Sequence, residues 1–256
     1  MYLETFARLW RWGNALCFLG VLQFVGCAAL AMLHYPGGTL VDRHSVGYTF
    51  FENYLSDLGR TAAWSGADNG VSAALFNTSI VLLGLSTVPL FLFLPLHAPD
   101  RAGMLWAAAA FGVLSVCGLV GIGLTPYDRY LDAHVAAHLW WILPFLIAVF
   151  FHFLALMQSE RCPLVFPVLS LALVTCIAVY AVASLGGGMS ASAGQETSFA
   201  PAAAAWQKYV FLGSLAWYAV FSLRMMCLVE LSLPERRSTV DRSARRYLKR
   251  LPPPGQ

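Results

Sequence analysis

Two short tracts hold most of the side chains that could do chemistry. The first is Gly47-Tyr-Thr-Phe-Phe-Glu-Asn-Tyr-Leu-Ser-Asp-Leu-Gly-Arg60, which sets Glu52, Asn53, Ser56, Asp57 and Arg60 among aromatics. The second runs from Tyr127 to His138 and carries Tyr127, Asp128, Arg129, Asp132, His134 and His138. His134 and His138 are four apart, which on a helix puts both imidazoles on one face. A His-x-x-x-His pair supplies two zinc ligands, and a third ligand plus water completes a catalytic site. Asp57 is the expected third metal ligand, with Glu52 and His44 as alternatives. Ser56, Asp57 and Glu52 are the candidate catalytic groups of such a site. Asn53, Arg60, Tyr127, Asp128, Arg129 and Asp132 are candidate binding groups, with Arg60 and Arg129 facing phosphate. The bland alternative is that the histidines bond tyrosines, carboxylates or head groups, and that Ser56 and Asp57 cap a short helix closed by Gly59.

The elements that must position these residues are unusual for a chain of 256 residues. It is 59% hydrophobic and only 11% charged, with mean hydropathy +0.65. A soluble domain carries about 25% charged residues, so the solvent here is lipid. Spanning the hydrocarbon takes about 20 apolar residues as a helix, because every backbone polar group must be satisfied internally. Six stretches qualify: Trp12–Leu33, Val71–Leu94, Ala102–Leu124, Ala133–Met157, Pro163–Leu185 and Trp206–Leu228. The expected fold is an all-α membrane protein, a six-transmembrane-helix bundle over residues 1–230. A polar segment, 34–70, joins helices 1 and 2, and a basic tail fills 231–256. Arg8 and Arg11 ahead of the first span resemble a signal peptide, but the run is long for one and reads as a retained helix.

Charge sets the expected orientation. Arg8, Arg11, Arg101, Arg161 and the tail cations Arg236, Arg237, Arg242, Arg245, Arg246, Lys249 and Arg250 fall on one side. By the positive-inside rule that side, with both termini, is cytoplasmic. Arg43, Arg60, Arg129 and Lys208 fall on the other side, with the acids Asp42, Glu52, Asp57, Asp68, Asp128, Asp132 and Glu196. The expected location is the inner, plasma membrane of a bacterium. Membrane lipids are the expected partners, the basic tail lying on the anionic inner leaflet, and nucleic acid is not expected. Arg224 is expected to snorkel to the inner surface.

Several smaller readings follow. The six cysteines, Cys17, Cys27, Cys117, Cys162, Cys176 and Cys227, have no CxxC spacing and read as buried hydrophobes rather than disulfides. Gly112, Gly118, Gly121 and Gly123 suggest that helix 3 is central and closely approached. Gln23 and Asn77 read as interhelical hydrogen bonds. Gly186–Gly194 reads as a flexible linker or lid. His152, with His97 or His34, is the only pairing that would suit a haem. No nucleotide-binding loop, Gly-x-Ser-x-Gly elbow or mid-membrane acidic ladder is present.

The pattern Tyr54-Leu-Ser-Asp-Leu-Gly59, then Phe76-Asn77, then Gly121-Ile-Gly-Leu-Thr-Pro126 and His134 is similar to the family catalogued as domain of unknown function 998. It resembles more distantly the Frag1/DRAM/Sfk1 group, in which a proline commonly precedes the Ile-Ser-Asp unit where Tyr54 stands here. The likeness spans roughly residues 14–185 and implies a six-helix membrane protein connected with lipids, with no transferable catalytic residues. Three functions are therefore expected in turn: a lipid-interacting protein of unassigned activity; a metal-dependent lipid hydrolase, whose Ser, Asp and His-x-x-x-His resemble the alkaline ceramidase and adiponectin-receptor arrangement; and a small-solute transporter or channel.

Overall fold

The computed structural model describes residues 2–160, 162–191 and 200–232. Six long helices account for most of them: α1 Tyr2–His34, α2 Gly70–Phe93, α3 Ala102–Leu124, α4 Leu131–Met157, α5 Val165–Ala191 and α6 Ala200–Ser232. All six are long and apolar enough to cross a membrane, and among the described residues no strand forms. The chain is an integral membrane protein. Each helix packs on its neighbour in sequence and α6 returns to α1, so the six close a ring.

The helices outrun the hydropathy at several ends. α1 begins at Tyr2 because its first turns still have something to pack on: the Phe6 ring meets Phe93 edge-on at 5.9 Å and Trp10 stacks on Phe93 at 6.4 Å. α5 continues through Gly186, Gly187 and Gly188 to Ala191, so those glycines are helix rather than linker. Residues 192–194 of that tract, Glu196, Arg161 and the basic tail beyond Ser232 lie outside the described residues.

Helix 3 is not central; it is the tightest seam of the ring. A Cβ on Gly118 would strike the α4 backbone at Trp140–Trp141, and one on Gly123 would lie 2.6 Å from the Asn77 carbonyl of α2. Bare backbone at these positions lets α2, α3 and α4 approach closely, which is how helices gain contact when the surrounding lipid is as apolar as they are. The two amides expected to bridge helices, Asn77 and Gln23, do not. Asn77 Nδ2 donates to the Gly59 carbonyl at 2.9 Å, and Gln23 Nε2 reaches Cys27 Sγ at 3.5 Å, one turn on in α1. Every cysteine is a free thiol, and Cys117 and Cys227 are exposed on the ring's outside rather than buried.

Candidate functional site

Residues 35–69 fold over one end of the ring, and Asn53 and Asp57 organise them. Asn53, fully buried, accepts the Thr49 N–H at 2.9 Å and donates to the Gly38 carbonyl at 2.9 Å and Asp57 Oδ2 at 3.0 Å. Asp57 sits in the 3-10 turn Leu55–Gly59. Its Oδ2 also accepts the Tyr54 N–H at 2.9 Å, and its Oδ1 accepts Trp64 Nε1 at 2.9 Å. Burial raises the Asp57 pKa from the ordinary carboxylate range, and the hydrogen bonds and nearby Arg60 offset this only in part. Burial also pushes the Tyr54 phenol up to about 12.

Trp64 is the hub that the sequence did not flag. The Arg60 guanidinium lies 3.7 Å from its ring centroid and that of Arg43 4.1 Å; both are cation–π contacts. The Arg60 side chain therefore meets the Asp57 carboxylate through Trp64, its Nε donating to the Ala62 carbonyl at 3.0 Å, while the Arg60 backbone N–H donates to the Asp57 carbonyl at 3.2 Å. Gly59 is needed for space, since a Cβ there would run into the Asn77 side chain.

The second tract docks on the first through one carboxylate. Asp128 accepts the Thr61 N–H at 2.9 Å, the Thr61 hydroxyl at 2.6 Å and the Ala62 N–H at 3.1 Å. Partial burial works to raise its pKa, but the hydroxyl and amide donors outweigh burial and hold it below the usual carboxylate range. Arg129 Nε donates to the same Thr61 hydroxyl oxygen at 3.0 Å, and Tyr127 meets Trp64 edge-on at 6.4 Å. Asp128 is thus a tether between the two tracts. Asp132, in the first turn of α4, is exposed, and Glu52 is exposed on the 35–69 segment.

Between the docked segment and α4, α5 and α6 lies a cavity of about 440 Å³. Its polar lining is Tyr54, Ser56, Asp57, Trp64, Tyr127, His134, His138, Tyr180 and Gln207. Apolar lining comes from Leu40, Val135, Leu139, Ile142, Leu143 and Ala181. His134 Nδ1 lies 2.7 Å from the Thr125 carbonyl. A carbonyl only accepts, so the proton sits on Nδ1 and Nε2 keeps its lone pair. His138 Nε2 is 3.3 Å from the Tyr180 hydroxyl. Ser56, His134, His138 and Gln207 also border a void of about 20 Å³ behind the cavity, room for one water.

The tracts therefore come together, but not as a zinc triad. Asp57 has both oxygens engaged by protein donors and His138 Nε2 faces Tyr180. Neither Glu52 nor His44 lines the cavity. Among the described residues no three His, Cys, Asp or Glu side chains group closely enough to hold an ion. The donor set as placed does not fit the metal.

Two residues on α6 complete the site and carried no motif. Gln207 Oε1 accepts the Leu55 N–H at 2.8 Å, and Lys208 Nζ donates to the Asn53 carbonyl. Asn69 Nδ2 adds bonds to the carbonyls of Leu58 at 3.1 Å and Arg60 at 2.8 Å. Their only sequence signal is polarity inside or beside an apolar run, which lipid penalises unless partners exist.

At the opposite end of the ring His97 Nδ1 and His152 Nε2 are 3.1 Å apart. That is a hydrogen bond, and it leaves no room for a haem iron between two axial ligands. The chain of contacts continues from His152 Nδ1 to Ser170 Oγ at 3.1 Å, which accepts Trp217 Nε1 at 3.1 Å. The Arg224 guanidinium reaches the connector between α4 and α5, covering the Phe166 ring at 3.8 Å and meeting Cys162 Sγ at 3.4 Å.

Fold and site together define a six-helix integral membrane protein whose 35–69 segment roofs a largely apolar cavity set with a few polar groups at one end. Compared with protein-family models, with curated proteins and with solved structures, the chain matches none.

Proposed function

We propose that this protein binds a membrane lipid, admitting its head group to the cavity beneath the 35–69 segment from the side. The carrying observation is the cavity's asymmetry. Its buried and half-buried lining includes Ser56, Tyr127, His134, His138, Tyr180 and Gln207, hydroxyls, imidazoles and an amide that suit a polar head. Its rim holds Val135, Leu139 and Leu143, which are 47%, 44% and 48% exposed. These three recur every four residues along α4, so they form one stripe that faces acyl chains. An amphiphile fits that gradient and a freely soluble polar solute does not. The positive-inside bias puts this end on the outer face of a bacterial inner membrane, with the basic tail against the anionic inner leaflet. The proposed kinship with the domain-of-unknown-function-998 chains accords with this reading, since Ser56 lines the cavity and Asp57 and Gly59 shape the turn that carries it. A zinc hydrolase is less favoured, because among the described residues no third ligand groups with His134 and His138 closely enough to hold an ion.

The test is lipid retention. Protein extracted from its membrane into nanodiscs and examined by native mass spectrometry should keep a lipid adduct. Ala181→Trp, which fills the cavity from α5, should lose that adduct while keeping its unfolding midpoint. A wild type without adducts, or a folded Ala181→Trp that keeps them unchanged, overturns the reading.

A further inference from the structure

Lys208 stands in the apolar run of α6 with 2% of its surface exposed. Besides the Asn53 carbonyl, its Nζ donates to the Ala204 carbonyl at 3.1 Å. It lies 5.3 Å from the Phe50 ring centroid and 5.8 Å from that of Tyr48. Every one of these described partners is neutral. Asp57, the nearest acid of the network, spends both oxygens on Asn53, Tyr54 and Trp64. A buried ammonium without a bonded counter-charge is costly in a low-dielectric surround. It has three donors, two of them given to carbonyls, so one remains for a ligand.

Lys208 lines a cleft of about 170 Å³ between α1 and α6. Apart from Lys208 the cleft is apolar, with Phe24, Ala28, Phe211 and Leu215 among its walls. Its edges, Val25, Phe50 and Leu212, are 48%, 41% and 51% exposed, so it opens sideways to the bilayer. Its level is set independently. Trp206 and Tyr209 flank Lys208 on α6, both exposed, with rings 5.8 Å apart. Exposed Trp and Tyr mark the boundary between head groups and acyl chains. An ammonium at that level, at the head of an apolar cleft, meets an oxyanion above and an acyl chain below.

We infer that the α1–α6 cleft is a second lipid site, selective for an amphiphile with an oxyanion head whose oxygen accepts from Lys208 Nζ. The head carries net negative charge, the phosphate of an anionic phospholipid or a fatty-acid carboxylate, with no ligand-borne cation such as choline to neutralise the oxyanion that meets Lys208. This site is separate from the cavity between α4 and α5. The turn at Asn53–Leu55 stands between them, with Lys208 holding it on one side and Gln207 on the other.

Competition in mixed nanodiscs tests it. With phosphatidylglycerol and phosphatidylcholine in equal amounts, native mass spectrometry of the wild type should show an anionic-lipid adduct favoured about tenfold, because choline brings a second cation beside the Lys208 ammonium and glycerol does not. A second arm, phosphatidylcholine nanodiscs doped with oleate, tells whether a carboxylate alone suffices. Lys208→Met should bring the preference to about one. Ala29→Trp at the cleft mouth, which leaves the Lys208 bonds in place, should do the same, and it decides the matter if Lys208→Met fails to fold. A wild type without preference in either arm overturns the inference, and so does a folded Ala29→Trp that keeps it. Because Ala181→Trp reads the other cavity, failure here and failure of the first lipid reading are distinguishable.

Discussion

Asp57→Asn tests whether the roof of the cavity is built as described. The carboxylate accepts three donors: Asn53 Nδ2 and the Tyr54 N–H on Oδ2, and Trp64 Nε1 on Oδ1. An asparagine has one acceptor oxygen and one NH₂ group. Keeping Asn53 and Tyr54 satisfied places that NH₂ against the Trp64 indole N–H, two donors facing each other. A hydrogen bond to a charged acceptor contributes about 1.5–3 kcal/mol and a buried donor left unsatisfied costs about 1–3 kcal/mol. Removing a buried charge returns part of this, so the net expected loss is about 1–3 kcal/mol. Trp64→Phe removes the donor in question but also the cation–π contacts with Arg43 and Arg60. The informative quantity is therefore the double-mutant cycle, in which those contacts cancel. The expected coupling is about 1–2 kcal/mol, read from reversible unfolding in mixed micelles with rising dodecyl sulfate, followed by far-ultraviolet circular dichroism. Additivity within about 0.5 kcal/mol would refute the Asp57–Trp64 bond as the element that closes the roof.

The two carboxylates should respond to acid with opposite sign. The Asp128 pKa is depressed by Thr61 and Ala62 donors that outweigh its partial burial, so its tether is fully present above the unfolded value of about 4 and is lost as pH falls through the lower folded value. The Asp57 pKa is raised by burial, so ionising it weighs against the fold above the folded value, and that cost is relieved as pH falls through the folded value and is gone below the unfolded one. Hydrogen exchange across pH 7 to 3 should keep the Thr61 and Ala62 amides protected until the acid end, and Asp128→Ala should expose them throughout; early loss of protection in the wild type counts against the tether. At the α3–α4 seam, Gly118→Ala should cost about 1–3 kcal/mol or more by overpacking, because its Cβ meets α4 backbone. Gly26→Ala, with nothing within 4 Å of its Cβ, should be neutral or slightly stabilising, and equal unfolding midpoints for the two variants would contradict the packing.

The six spans were legible because hydrocarbon imposes a length and an apolarity that little else imitates. What hydropathy cannot report is where a helix stops once it leaves the lipid. α1 extends to Tyr2 on the strength of Phe6 and Trp10 packing against Phe93. α5 extends through three glycines, whose poor propensity of about 1 kcal/mol each weakens a helix without forbidding it. The closure of α6 on α1 was not legible either. Spans that are apolar all round carry no stripe to say which face meets protein and which meets lipid. The glycines of α3 marked a close approach but not its partner, and the structure answers with Phe91 for Gly112 and Trp141 for Gly118.

Site residues were legible by type and not by role, for a physical reason. A sequence shows which groups can donate, accept or ligate; it does not show which nearby backbone amides will take up those capacities first. Asp57 looked like a metal ligand and Asp128 like a binding group because carboxylates beside histidines often are. In the fold each is consumed by donors within hydrogen-bond reach, and the open capacity is left to Ser56, the Nε2 of His134 and the third N–H of Lys208. Gln207 and Lys208 show the converse. Neither belongs to a motif, yet consecutive residues point about 100° apart around a helix, so the pair grips the Asn53–Leu55 turn from two sides and looks into two different cavities. That turn is the partition between the cavities. A ligand drawing Lys208 away from the Asn53 carbonyl would loosen the Asn53–Asp57 contact that shapes the other wall, so the two sites share one structural element although no ligand atom passes between them.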